Sequence, residues 1–301
     1  MIIKKLLKDL NMNNVIGDLH RQIDGVASLS NAARNKLVYC NSGMEYLLTG
    51  ISDCVVIVSV DAYINALPDG NTYVLVDNPR LAFIHAVNML YAKYLTLPQK
   101  PAIIHESAQI YQPYIGYNCS IGRNVTIHPH VTILCNTVIE ENVTIYPNTA
   151  IGSIGFGQER NEHRELVKFP HLGGVHIHKN VEIGSNVAID RGTLDDTVID
   201  EGTMIDNLVH ISHNCKIGKH CSIASGTEFG GGTILGDHAT VATGVVTRDG
   251  GITIGKNAFV GLGAVVTKDI PDNMTVMGVP AREINEFKRY LKFVKDNANK
   301  R

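Results

Sequence analysis

Hydrophobic residues follow two different rhythms along this chain. Up to about residue 100 the pattern is mixed. The β-branched runs CVVIVSV (54–60) and TYVLVD (72–77) predict strands, and PRLAFIHAVNMLYAKYL (79–95) has apolar residues at helical spacing. Together they predict a small α/β domain over residues 1–100, with the two prolines of TLPQKP (96–101) marking a hinge. Beyond the hinge an apolar residue recurs every six positions, at 115, 121, 127, 133, 139, 145 and 151. The beat returns at 183 and 189, continues from 199 to 241, and closes at 254, 260 and 266.

A period of six fits neither a helix nor the alternation of a lone strand. It is the signature of a β-solenoid built from hexapeptides, three short strands per triangular coil of about 18 residues. The apolar residue of each rung points inward, and small residues two positions earlier, such as Cys119, Val125 and Val131, fill the corners. The fold class is therefore mainly β: a solenoid over 101–284, the small α/β domain before it, and a short basic helix over 285–301. Residues 18 apart in unbroken repeat stack about 4.8 Å from each other. Two interruptions break the beat. The stretch between 151 and 183 must leave the coil in its early part, and the rung from 189 to 199 is ten residues long, so DRGTLDDT bulges outward. Insertions of this kind tend to serve a binding face.

The stacking rule gives HISHNC (210–215) its interest. Ile211 points inward, so His213 faces outward. One coil earlier lies the bulged rung with Asp190, Asp195 and Asp196; one coil later, in FGGGTI, lies Gly231. A carboxylate fixes an imidazole tautomer and raises its basicity, while a glycine admits substrate to the backbone and frees an amide N–H for an oxyanion. A base beside an oxyanion donor suits acyl transfer from a thioester. His210, one residue before Ile211, is expected to contact substrate without taking the proton.

Composition narrows the reading. The 301 residues carry a net charge of −2 and no Trp, which argues against duplex DNA or an acidic membrane surface as the main partner. No run of about 18 apolar residues predicts a membrane span, and the N-terminal MIIKKLLKDLNMNN lacks a signal-peptide core, so the cytoplasm is the expected location. The cysteines at 40, 54, 119, 135, 215 and 221 form no CxxC pair and are expected to be reduced and buried. A zinc site would need His210 and His213 joined by His128 or His130 from a distant coil, so no catalytic metal is expected.

At this point specific motifs accumulate. LDDTVIDEGTMIDNLVHISHNCKIG (194–218), preceded by IDRG (189–192), resembles the UDP-3-O-(3-hydroxyacyl)glucosamine N-acyltransferase family of lipid A biosynthesis. So do GSIGFG (152–157), FPHLGGV (169–175), LVYCNSGMEYLL (37–48) and VDNPRLAF (76–83). The resemblance implies a homotrimer of left-handed parallel β-helices with sites between subunits. It makes His213 the general base and the Gly231 amide the oxyanion donor; from the stacking itself, Asp195 or Asp196 is expected to orient the imidazole. Asp206 and Asn214 would lie near the sugar, and Tyr39, Asn41 and Tyr46 would hold the nucleotide base. The acyl donor would be a thioester of acyl carrier protein or CoA, with no other cofactor. His210 is similar to its counterpart in the related O-acyltransferase. The ending GLGAVVTKDIPDNMTVMGVPAREI (261–284) is similar to acetyl-CoA-dependent sugar acetyltransferases. The alternative is therefore N-acetylation of a UDP- or dTDP-dideoxyamino sugar for surface glycans. A purely scaffolding solenoid would not require the stacked His and triple Gly.

Overall fold

The computed structural model describes residues 3–62, 67–95 and 98–298. Residues 96–97 of the expected hinge lie outside them. The chain divides into two compact units: Met1–Pro98 with Phe156–Leu172 and Thr193–Asp195, and Gln99–Gly155 with Gly173–Gly192 and Asp196–Arg301. The division is thus discontinuous in sequence. Both interruptions of the repeat contribute residues to the first unit, where the sequence reading kept them with the solenoid.

The first unit has helix α1 (Ile3–Asp9), strands β1 (Val15–Ile16), β2 (Gly25–Val26), β3 (Lys36–Tyr39), β4 (Val55–Ser59) and β5 (Thr72–Val76), and helix α2 (Pro79–Lys93). The sheet order is β1-β5-β4-β3-β2, parallel except for β1 against β5. β4 is buried along its whole length, as expected for a central parallel strand. Asn78 starts α2 by accepting the Leu81 N–H at 2.9 Å, and Pro79 sits in the first turn, where its missing N–H costs nothing. Phe83, Ile84, Val87 and Leu90 form the buried stripe of α2. The loop after residue 155 returns as a hairpin, Gln158–Arg160 with Leu166–Lys168, and delivers Phe169 to the same core, 6.0 Å from Phe83 between ring centroids.

The second unit is a left-handed parallel β-helix; among the described residues its three sheets hold ten, eight and eight strands, all parallel except Arg282–Glu283, which turns back antiparallel on Thr275–Met277. Register confirms the repeat: Ile127 pairs with Ile145, and Ile211 with Phe229. The inward residues of the rungs form one continuous buried column, each worth about 1.5–3 kcal/mol relative to exposure. Corners repeatedly place Asn in the left-handed region, including Asn118, Asn124, Asn142, Asn180 and Asn214 at φ between 54° and 61°. Several of these amides bond from coil to coil, such as Asn124 Nδ2 to Asn142 Oδ1 at 3.1 Å.

One detail of the reading changes. The coil resumes at Val175–Ile177, which pairs with Thr137–Ile139, a full rung before residue 183. Helix α3 (Ile284–Ala298) closes the described chain.

Candidate active site

His213 stands at a corner. Ile211 before it and Cys215 after it are both buried and anchor the turn from inside. Burial pushes the Cys215 thiol up to about 12, so this cysteine is a packing residue rather than a nucleophile. Asn214 adopts φ 61°, and its N–H donates to Thr197 Oγ1 at 2.9 Å. The His213 carbonyl accepts the Gly232 N–H of the next coil at 2.9 Å. Together these bonds fix the backbone on either side of the imidazole.

The ring itself meets two features. Asn214 Nδ2 lies 3.0 Å from His213 Nδ1. On the other edge the ring packs on Gly231: a Cβ added there would lie 2.7 Å from His213 Cε1 and 3.0 Å from Nε2. The predicted stacking of His213 under Gly231 is therefore realised, at contact distance. Gly231 is buried, and its N–H donates to no acceptor among the described residues. The same hypothetical Cβ would be 2.8 Å from Asp249 Oδ1, so a carboxylate from the following coil shares this corner. Sequence reasoning did not name Asp249, although counting one more 18-residue step past Gly231 reaches it. One coil before His213 is Arg191, whose Nε donates to Gly152 O at 3.0 Å and whose Nη2 donates to Cys135 O. It satisfies carbonyls at the place where the chain leaves the solenoid.

The other expected residues are placed as follows. His210 Nε2 lies 3.2 Å from Asp190 Oδ2, and that hydrogen bond holds the imidazole above the ordinary histidine range, against the opposing effect of burial. The carboxylates expected to orient His213 are engaged elsewhere. Asp196 Oδ1 accepts the Gly174 N–H at 2.6 Å, and Asp195 Oδ1 accepts from Asn31 Nδ2 at 2.6 Å. Both bonds pin inserted residues, and the side chain found at Nδ1 is Asn214. Asp206 is exposed, caps the Ser225 N–H at 3.2 Å, and lines an open groove of about 460 Å³ with Tyr146, Glu182 and Met204.

In the first unit, Tyr39 ends β3 with its ring 4.7 Å from Phe83, and desolvation raises its hydroxyl pKa. One face of that ring is thereby used for packing. Asn41 is exposed, and Tyr46, in the short 3₁₀ helix Glu45–Leu48, is 69% exposed.

Residues 118–153 and 196–231 match the bacterial transferase hexapeptide (six repeats) family. A Helicobacter pylori protein named UDP-3-O-acylglucosamine N-acyltransferase is 32% identical over 93% of this chain and 89% of its own length. The chain belongs to the UDP-3-O-acylglucosamine N-acyltransferase family. A second member, from Campylobacter concisus, is 33% identical over 92% of this chain and 94% of its own. Among solved structures, Francisella novicida UDP-N-acetylglucosamine acyltransferase is 30% identical, with a TM-score of 0.51 over 60% of this chain and 67% of that one. Family membership makes the chain an acyltransferase, and the corner of His213 and Gly231 lies within the matched repeats up to their last residue. No helix among the described residues is long and apolar enough to cross a membrane.

Proposed function

We propose that this protein transfers an acyl group from a thioester to the amine of UDP-3-O-acylglucosamine, the N-acylation step of lipid A synthesis. The observation that carries the reading is the contact between the His213 ring and Gly231, a glycine whose amide has no acceptor among the described residues. The amine nitrogen attacks the thioester carbonyl carbon while His213 Nε2 removes its proton. The Gly231 N–H stabilises the oxyanion of the tetrahedral intermediate. Collapse breaks the C–S bond, and the imidazolium returns its proton to the departing thiolate.

For Nε2 to act as a base, Nδ1 must carry the ring proton. Asn214 presents Nδ2 to Nδ1 in this structure; with the amide rotated by 180°, Oδ1 takes that place, accepts the Nδ1–H and holds the tautomer. His210, paired with Asp190, and Asp206 serve the substrate. Tyr46 and Asn41 are available to the nucleotide base, with Tyr39 supporting them from the core. The functional unit is a homotrimer in the cytoplasm, where a carrier-protein or CoA thioester is the donor; no metal takes part in the acyl transfer.

The test is direct. Purified protein is incubated with UDP-3-O-acylglucosamine and 3-hydroxyacyl carrier protein, and the product is read by mass spectrometry for amide formation. Acetyl-CoA with UDP- and dTDP-dideoxyamino sugars is run in parallel. Acetylation of a dideoxyamino sugar without acylation of the glucosamine derivative would replace this reading by the alternative.

A further inference from the structure

Away from this corner, three side chains converge on one point of the solenoid surface. His176 and His178 flank the inward Ile177, so both imidazoles leave the same face of one strand. Glu140 comes from the preceding coil, where Ile139 pairs with Ile177. A single carboxylate oxygen, Glu140 Oε1, lies 2.9 Å from His176 Nε2 and 3.0 Å from His178 Nδ1. The two rings stack at 4.2 Å between centroids, 20° from parallel. The other carboxylate oxygen accepts the Lys179 N–H at 3.2 Å, which fixes the carboxylate.

We propose that Glu140, His176 and His178 bind one divalent transition-metal ion, with Zn²⁺ the best fit, and that the ion staples the two coils flanking the large interruption. The donor set, two imidazoles and a carboxylate, is one that Zn²⁺ accepts, with water in the fourth position. The spacing fits as well. Zinc–ligand bonds of about 2.0–2.2 Å in a tetrahedron put ligand atoms about 3.4 Å apart. The nitrogen–oxygen distances need open by only about half an ångström to reach that value. All three donor atoms already lie within 4.8 Å of one another.

Position supplies the role. Ile139 and Ile177 are neighbours across the sheet yet 38 residues apart, because the chain leaves the solenoid between them. A metal closing so long an excursion stabilises the folded form by removing loop entropy from the unfolded one. The site is separate from catalysis. His176 lies two coils, about 10 Å along the axis, before the strand that follows His213.

The experiment uses the full-length protein after dialysis against chelator. Zn²⁺ titrated calorimetrically is expected to bind with one tight site per chain and to raise the melting temperature. Co²⁺ as a probe is expected to give the strong visible absorption of a four-coordinate ion. His176→Ala and Glu140→Gln should each weaken Zn²⁺ binding by about tenfold or more, since even outer-sphere changes cost that much. The His176→Ala/His178→Ala protein should lose the cobalt band and the thermal shift. His220→Ala/His238→Ala, which removes another stacked histidine pair, should change neither. A six-coordinate cobalt spectrum in the wild type would overturn the proposal. So would wild-type Zn²⁺ affinity in the double variant or in Glu140→Gln, whose isosteric change leaves the coil packing intact.

Discussion

Replacing Gly231 by Ala adds one methyl group at the tightest contact of the candidate site. The new carbon would stand 2.7 Å from His213 Cε1 and 2.8 Å from Asp249 Oδ1. Carbon atoms in contact prefer about 3.5–4.0 Å, so the imidazole must retreat by about 1 Å. Misplacement of a catalytic group by that distance costs on the order of 10²-fold in rate, or about 2.7 kcal/mol of barrier. The cost to folding is smaller, because both obstructing atoms end movable side chains. We expect about 1 kcal/mol and a fall of about 2–4 °C in Tm. Gly230→Ala is the contrasting control: its Cβ would meet backbone, 2.5 Å from Arg248 O, and should damage the coil itself. The assay pairs single-turnover acyl transfer with thermal melting. A Gly231→Ala protein that melts normally and turns over within roughly threefold of wild type, below ~0.7 kcal/mol, would refute the placement of His213 at the reacting centre.

Further outcomes follow from neighbouring geometry. Gly232→Ala, one step along, has space but starts from φ 74°, so it should lose about 1–2 kcal/mol of stability while keeping its activity; unchanged melting would contradict the strain argument. His213→Ala should lower kcat by about 10²–10⁴ with Tm nearly unchanged, checked by kinetics and melting on the same preparation. Asn214→Asp puts a permanent acceptor against Nδ1, so the acidic limb of the pH–rate profile should move to higher pH; a shift to lower pH would mean that Asn214 does not set the tautomer. Asp190 raises the His210 pKa, so their pairing stabilises the fold fully below the unfolded value of about 6.5 and fades as pH rises through the folded one. Asp190→Asn should therefore destabilise more at about pH 6 than at about pH 9, and a pH-independent loss in denaturant melts would count against the pair.

The solenoid was legible because its physics is local and repeated: one large apolar residue per rung has to point inward, and six residues separate successive rungs. What escaped was set by context. Val175–Ile177 rejoins the coil after an excursion of twenty extra residues, and the His residues on either side of Ile177 disguise the rung. Strands β1 and β2 are two residues long, too short for any period to show. The stacking rule brought His213 to Gly231 because no residues are inserted between them. It could not settle which carboxylate serves the ring, since residues 192–196 bulge out of the repeat and the count of six gives them no fixed position. There Asp195 and Asp196 turn to Asn31 and to Gly174, while Asp190 pairs with His210. Tyr39 read as a ligand-facing aromatic, yet its packing on Phe83 depends on a helix 40 residues downstream.

The uneven coil lengths have a consequence for how this chain tolerates insertions and deletions. Ile151 pairs with Ile189, Ile189 with Ile211, Leu235 with Ile254, and Ile254 with Ile270, at separations of 38, 22, 19 and 16. Apart from a one-residue bulge inside Ala150–Ile154, these departures fall between strands, and the rungs that follow pair in register again, as Ile177 does with Ile199 and Val241 with Val260. The helix thus behaves like a text with its own reading frame, in which the corners absorb the misprints. Six residues removed with their rung would turn all later coils by one face and carry His213 to the wrong edge of the triangle. Eighteen removed as a whole coil would shorten the column and leave the phase of the site intact.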